Sequence, residues 1–284
     1  MRYAVNLPNF GQLADVRVVA GLAADAEAAG WDDFFVWDHL TWVKRELLDI
    51  ADPWMLLCGA ALATERLRLG PMVTPLPRRR PWKVARETVT LDRLSGGRLV
   101  LGVGLGWPAE DEYGSFGEPT GVVERAAMLD EGLEVLTRLW SGEPVSFSGR
   151  HYRVDEVALR PVPVQRPRIP IWVAGTWPLP GPLARAARFD GIHPLKVDAA
   201  GQLVPLAPED LAELVRVVGA ARTDPGPFEV MVGGETPGDD PAAARAVIGP
   251  LAEAGMTWWS ESLHPDRGDL VAIRRRVRQG PPAA

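Results

Sequence analysis

One cysteine, Cys58, and three lysines are all that this 284-residue chain contains of those two residues. A lone cysteine excludes an internal disulfide and any cysteine-cluster metal site, and its place in "WMLLCGAALA" reads as helix packing. No run of 18 apolar residues occurs, so no bilayer-spanning helix is expected. The opening "MRYAVNLPNFG" lacks the apolar stretch of a signal peptide, and a reducing cytoplasm is the expected setting. A net charge of −6 gives neither nucleic acid nor an anionic membrane a reason to bind. Histidine occurs only four times, which makes each placement informative. What remains is 46% hydrophobic and 24% charged, the composition of a globular protein with a sizeable core, and it includes eleven tryptophans. Abundant Ala, Arg, Gly and Pro are the usage of a high-GC genome.

Short apolar runs alternate with helical patterns along most of the chain. Strands are expected at "YAVNL" (3–7), "FFVW" (34–37), "RLRLGPMV" (66–73), "RLVLGVG" (98–104), "PIWVA" (170–174), "DGIH" (190–193), "FEVMV" (228–232) and "MTWW" (256–259). Asp15 is placed to cap the first helix and Gly30 to close it; Asp52 with Pro53 opens the second, and Pro81 a third. A long helix is expected from about Val122 to Trp140, and a last one near 266–278. Residues 141–169 break the rhythm with a hairpin pattern, "GEPVSFSGRHYRV", and a proline-rich connection. Eight nearly all-apolar strands are those of a parallel sheet covered on both faces. They predict an α/β fold, a (β/α)8 TIM barrel spanning 1–284 as one domain, with a hairpin-containing insertion at about 141–169 after the fourth β/α unit, packed over the C-terminal rim. The competing doubly wound sheet needs a Gly-x-Gly-x-x-Gly turn after the first strand, where "LPNFGQL" has one glycine.

Barrel chemistry sits at the C-terminal strand ends. His39 follows the second strand, His193 closes the sixth and His264 follows the eighth; His151 lies in the hairpin. The neighbouring carboxylate of Asp38 could orient and charge His39. A metal site on His39, His193 and His264, as in a metal-assisted hydrolase, has no spacing motif behind it. Gly102, Gly104 and Gly106 allow either tight packing at the rim or backbone lying against a flat ligand, and "VAGT" ends the fifth strand in amides and a hydroxyl that suit a phosphate. Trp37, Trp42, Trp107 and Trp177 stand near strand exits, where they serve equally as core or as walls for a planar ring. "RRR" (78–80) reads as a solvated turn, with the holding of an anionic tail as the other reading.

The stretches "NLPNFG", "VWDHL", "RLRLGPMVTPLPRRRPW", "LDRLSGGRLVLGVGLGW", "FSGRHYRV" and "PIWVAGT" together resemble the bacterial luciferase-like oxidoreductases over roughly residues 1–195, and "GMTWWSESL" is similar to that family's last strand. The resemblance implies a luciferase-like oxidoreductase that uses the deazaflavin coenzyme F420, or reduced FMN, for hydride transfer or monooxygenation of a small organic substrate. It implies Asp38 and His39 as catalytic residues and a non-prolyl cis peptide within Pro71-Met72-Val73, between Met72 and Val73. Met72, Val73, Thr74, Gly104, Leu105, Gly106, Trp107, Gly175 and Thr176 would contact the cofactor. Trp42 and Trp177 would line the substrate pocket, with His193 joining them where "FDGIHPLKV" departs from the family's usual aromatic-Asn ending. The "WDHL" form and the residue usage favour F420 over FMN, whereas scarce lysine is poor provision for its polyglutamate tail, leaving Arg79, Arg80 or Lys196 to meet it. A separate reductase supplying reduced cofactor and a homodimer are also among the family's partners. A non-catalytic flavin-binding relative and the metal-assisted hydrolase remain open.

Overall fold

The computed structural model describes residues 1–42 and 47–282. In chain order its strands are β1 (Arg2–Leu7), β2 (Asp33–Val36), β3 (Arg68–Pro71), β4 (Thr74–Pro75), β5 (Leu101–Gly104), β6 (Val145–Ser148), β7 (Arg153–Val157), β8 (Ile171–Trp177), β9 (Gly191–Val197), β10 (Leu203–Val204), β11 (Glu229–Gly234) and β12 (Trp258–Ser262). The helices are α1 (Val16–Ala28), α2 (Pro53–Leu62), α3 (Pro81–Leu94), α4 (Ala109–Glu112), α5 (Val122–Leu139), α6 (Pro180–Ala186), α7 (Pro208–Ala221), α8 (Pro241–Glu253) and α9 (Leu270–Arg278). Parallel pairing runs β3-β2-β1-β12-β11-β9-β8-β5-β4. Because β3 and β4 are two halves of one strand, broken at Met72-Val73, this order closes on itself as an eight-membered ring. A parallel bridge between Leu69 and Leu99 ties the other half of that strand to the approach of β5. The Met72–Val73 peptide is cis, at the position the resemblance implied.

The helix starts follow the chemistry of exposed backbone amides. Asp15 accepts from Arg17 N at 2.7 Å, and Asp52 accepts from Met55 N at 3.1 Å ahead of Pro53. Strand residues divide by alternation. One set faces the helices and belongs to the large outer core, with Val5, Phe34, Leu69, Val103, Val173 and Ile192 among its members. The other set faces inward, where Ala4, Phe35, Met72, Val100, Trp172, Met231 and Trp258 form an apolar plug that fills the lower barrel. Below this plug, Arg68 donates to both oxygens of buried Asp33 at 2.8 and 3.0 Å, and its guanidinium lies over Trp258 (4.5 Å) and Trp172 (5.5 Å).

The hairpin β6–β7 is antiparallel and stands between α5 and β8, but it does not cover the C-terminal rim. It packs on the outside of α3 and α5. Glu131 of α5 accepts from the backbone N–H of Arg150, His151 and Tyr152, and Trp82 meets Tyr152 edge-on. Further along, Asp92 at the end of α3 accepts from Val164 N and Gln165 Nε2, and Gln165 reaches Leu99 O at the start of the fourth barrel strand. A helix that follows a barrel strand runs back toward the N-terminal end, so the chain leaves α5 at the bottom. The hairpin then climbs the outside of the helix layer to Trp82 in the first turn of α3, and the proline-rich connection lies at the bottom beside Asp92 and Leu99.

Candidate active site at the barrel mouth

Strand β2 delivers Trp37, Asp38 and His39 to the mouth. Asp38 is almost fully buried, yet its carboxylate does not orient His39. It is clamped from the third strand: Arg78 Nη2 donates to Oδ1 at 2.6 Å, Arg79 donates to Oδ1 and Oδ2 at 2.7 and 3.0 Å, and the Thr74 hydroxyl donates to Oδ2 at 3.1 Å. The reading of "RRR" as a solvated turn is therefore corrected. A 3₁₀ turn over Leu76–Arg78 swings the first two arginines inward against carboxylates, leaving the Arg78 side chain 2% exposed, and only Arg80 faces solvent. Thr74 is fully buried with its hydroxyl committed to this clamp.

The partner of His39 is Glu112, a residue that sequence reasoning missed. Glu112 Oε1 lies 3.0 Å from His39 Nδ1 and accepts from Thr41 N at 3.1 Å; Oε2 accepts from Leu40 N at 3.1 Å and from Arg78 Nη1. Burial pushes the Glu112 carboxyl up, but the His39 hydrogen bond, the Arg78 charge and the Leu40 amide outweigh it and hold the group below the usual carboxylate range. An ionised carboxylate only accepts, so the proton of the neutral imidazole is on Nδ1 and Nε2 presents a lone pair. Asn9 fixes the backbone here, accepting from His39 N at 3.2 Å and donating to His39 O at 2.8 Å and Ala51 O at 2.7 Å. The imidazole sits in a cage of Trp42, Trp37 and Phe10, at centroid distances of 4.9, 5.8 and 6.3 Å, and Trp107 meets Trp42 edge-on.

The glycine-rich exit of β5 is held by two further residues that the sequence did not single out. Arg125 donates to Leu105 O at 2.8 Å and Gly106 O at 3.0 Å, and the Tyr113 hydroxyl donates to Leu105 O at 2.7 Å. These glycines have a packing reason for being glycine. Gly106 has φ +77°, and a Cβ there would lie 2.8 Å from Pro75; at Gly104 it would lie 2.8 Å from Val73, and at Gly175 2.3 Å from Pro182. Their backbones can still face a ligand, but their missing side chains are accounted for by the protein. Met72 is buried and Val73 half-buried beside this exit, and Thr176 makes no side-chain hydrogen bond among the described residues. Trp177 donates to Asp210 at 3.0 Å, and Lys196 is bound to the same carboxylate, so it is not a free cation awaiting an anionic tail. Above the apolar plug, inward positions on neighbouring strands are Gly102, Gly104, Ala174 and Gly233, with Met72 and Val73 packed against the first two and the His193 ring beside the last.

The three rim histidines are not brought together. His193 is buried with Nδ1 on Met231 O at 3.0 Å, and His264 pairs with Glu235 at 2.8 Å. Among the described residues no group of three His, Cys, Asp or Glu is placed to hold a metal ion. No helix among them is long and apolar enough to cross a membrane.

A sequence profile described as luciferase-like monooxygenase matches residues 1–280. The chain belongs to this family. Among its curated relatives, an F420-dependent glucose-6-phosphate dehydrogenase of Nakamurella multipartita is 34% identical over 163 residues, covering 56% of this chain and 47% of the relative. An F420-dependent hydroxymycolic acid dehydrogenase of Mycobacterium tuberculosis is 35% identical over 175 residues, covering 59% and 46%. The chain thus spans about half the length of these two luciferase-like relatives. Solved structures share the fold over nearly the whole chain. An F420-dependent secondary alcohol dehydrogenase, with an F420-acetone adduct, superposes with a TM-score of 0.78 at 20% identity, covering 99% of this chain and 98% of that one. The monooxygenase RslO1 from Streptomyces bottropensis does so with a TM-score of 0.79 at 22% identity, covering 98% and 97%.

Proposed function

We propose that this chain is an oxidoreductase that moves a hydride between coenzyme F420 and a small hydroxyl- or carbonyl-bearing substrate, with His39 handling the proton. The observation that carries this reading is the His39–Glu112–Arg78 chain of hydrogen bonds inside the aromatic cage. The small residues Gly104 and Ala174 at the mouth would let a flat ring approach the backbone, with Val73 on one side and Gly104 to Trp107 on another. Met72, Val73, Thr74 and Gly104 to Trp107 are the proposed ring contacts, and Gly175 and Thr176 the proposed phosphate contacts. When bound, the cofactor supplies the hydride acceptor.

The chain's own residues do the rest. His39 Nε2 takes the proton of a substrate hydroxyl as the C–H bond breaks, and returns it in the reverse direction. Glu112 stays ionised, stabilises the imidazolium and fixes the ring. Arg78 links Glu112 to Asp38, so the second strand, the third strand and α4 are locked in one arrangement. Trp42, stacked on Phe10 beside His39, would wall the substrate, with the exposed Trp107 at its edge. General acid–base help of this kind is typically worth about 10²–10⁴ in rate. Reduced FMN with oxygen is the second reading, and the F420-dependent relatives favour the first. A separate reductase would accompany FMN; a homodimer, a cytoplasmic setting and a single domain over 1–284 with its insertion at about 141–169 belong to the same proposal.

The test is titration of the protein with F420 and with FMN separately, following tryptophan fluorescence. Saturable quenching by F420 is the expected result. Saturation by FMN alone would transfer the reading to flavin chemistry, and quenching by neither would sink it.

A further inference from the structure

Buried deeper in the barrel than His39, a second set of polar groups has no work in this proposal. His193 is buried on β9, and its Nδ1 lies 3.0 Å from the Met231 carbonyl. A carbonyl can only accept, so the ring proton is on Nδ1 and Nε2 carries a lone pair. No partner for Nε2 exists among the described residues. Burial holds this imidazole below its usual range, against a smaller upward pull from the Met231 bond, so it is neutral at pH 7. The ring lies over Gly233: a Cβ there would be 3.4 Å from His193 Cε1 and 3.8 Å from Ser262 Oγ. Ser260 is the register partner of Gly233, and Ser262 that of Asn6. Ser260 and Asn6 alternate with the plug residues Trp258 and Ala4, so they face inward too. Ser260 Oγ and Asn6 Oδ1 are buried without a hydrogen-bond partner, and an orphaned buried polar atom costs about 1–3 kcal/mol.

We infer that His193, Asn6 and Ser260 form a hydrogen-bonding subsite that receives a second hydroxyl of the substrate, which makes the substrate class neutral and multiply hydroxylated. Two of these groups, the His193 lone pair and the Asn6 carbonyl oxygen, only accept, and the serine hydroxyl accepts or donates. The Asn6 amide NH2 adds donors beside them, so their complement is a neutral hydroxyl, which both donates and accepts. Gly233, without a side chain, leaves the Nε2 edge of His193 unblocked from β11. The inference rests on the proposed redox reading for which hydroxyl reacts, but the subsite itself is tested without turnover.

The matched probes are propane-1,2-diol and propan-2-ol, which differ by one hydroxyl. In ring-¹⁵N-labelled protein, His193 should show a protonated Nδ1 and a bare Nε2. The diol should move the Nε2 resonance toward that of a hydrogen-bonded acceptor, while propan-2-ol leaves it in place. In titrations the diol should bind about tenfold tighter or more, and His193→Phe should bring the two within about twofold. A protonated Nε2, or equal responses to both probes including none, would overturn the subsite. Absence of alcohol oxidation with either cofactor, alongside an intact diol preference, would sink the redox reading and leave the subsite standing.

Discussion

The two ends of the barrel each set an arginine against a buried carboxylate, and they do so to different effect. At the bottom, Asp33 meets one guanidinium, shared with two indole faces, and desolvation outweighs the Arg68 charge, so its carboxyl is pushed up to about 6. At the mouth, Glu112 has the His39 ring, Arg78 and two backbone amides, and its carboxyl is held low. Burial alone does not decide whether a charge persists. The number of donors aimed at it does, and the mouth has the larger supply. The bottom pair completes a plug; the network at the top keeps a charge ready beside an imidazole.

Breaking the bottom pair should have the largest effect on folding. Arg68→Leu strands a buried carboxylate, and chemical denaturation should register a loss of about 3–5 kcal/mol, with turnover per folded molecule nearly unchanged. A comparable loss of turnover in that variant would mean that the two ends are coupled. Glu112→Gln should act the other way round, lowering turnover by about 10²-fold and moving the acid limb of the pH–rate profile to lower pH, because the imidazolium loses its counter-charge. An unmoved profile would reduce Glu112 to a structural anchor.

Acid titration separates the two carboxylates by sign. Asp33 binds its proton more tightly folded than unfolded, so its contribution is fully present below about pH 4 and is lost as pH rises through about 6. Glu112 has the opposite sign: its contribution is present above its unfolded value and is lost as pH falls. Denaturation midpoints between pH 3 and pH 8 should therefore show Asp33→Asn gaining on the parent as pH rises from about 4 to 7, by about 3 kcal/mol at most. A constant difference across that window would place the Asp33 carboxyl in its ordinary range.

The fold was readable because its signals are local. The apolar runs "YAVNL" and "PIWVA", the Asp15 and Asp52 caps and the single glycine of "LPNFGQL" each carry their own physics. The mouth network was not, because it is made by closure. Nothing in the sequence separates Glu112 from its neighbours Glu110 and Asp111, and Arg78, Arg79 and Arg80 read alike as a solvated basic turn. Which member turns inward depends on a 3₁₀ turn and a four-residue helix meeting across strands that pair only in the closed ring. The Asp-His dipeptide was legible as a pair of site candidates, but their partners, Arg78 with Arg79 and Glu112, lie 40 to 73 positions further along the chain. The Arg-rich turn directly behind a strand exit was the one available clue.

If His39 moves a proton under the control of Glu112, His39→Ala should show it when turnover and melting temperature are measured on one preparation. Turnover should fall by about 10²–10⁴, with a melting temperature within a few degrees of the parent (about 1 kcal/mol or less) and nearly unchanged cofactor affinity. Full turnover per folded molecule with a lowered melting temperature would contradict that role for His39.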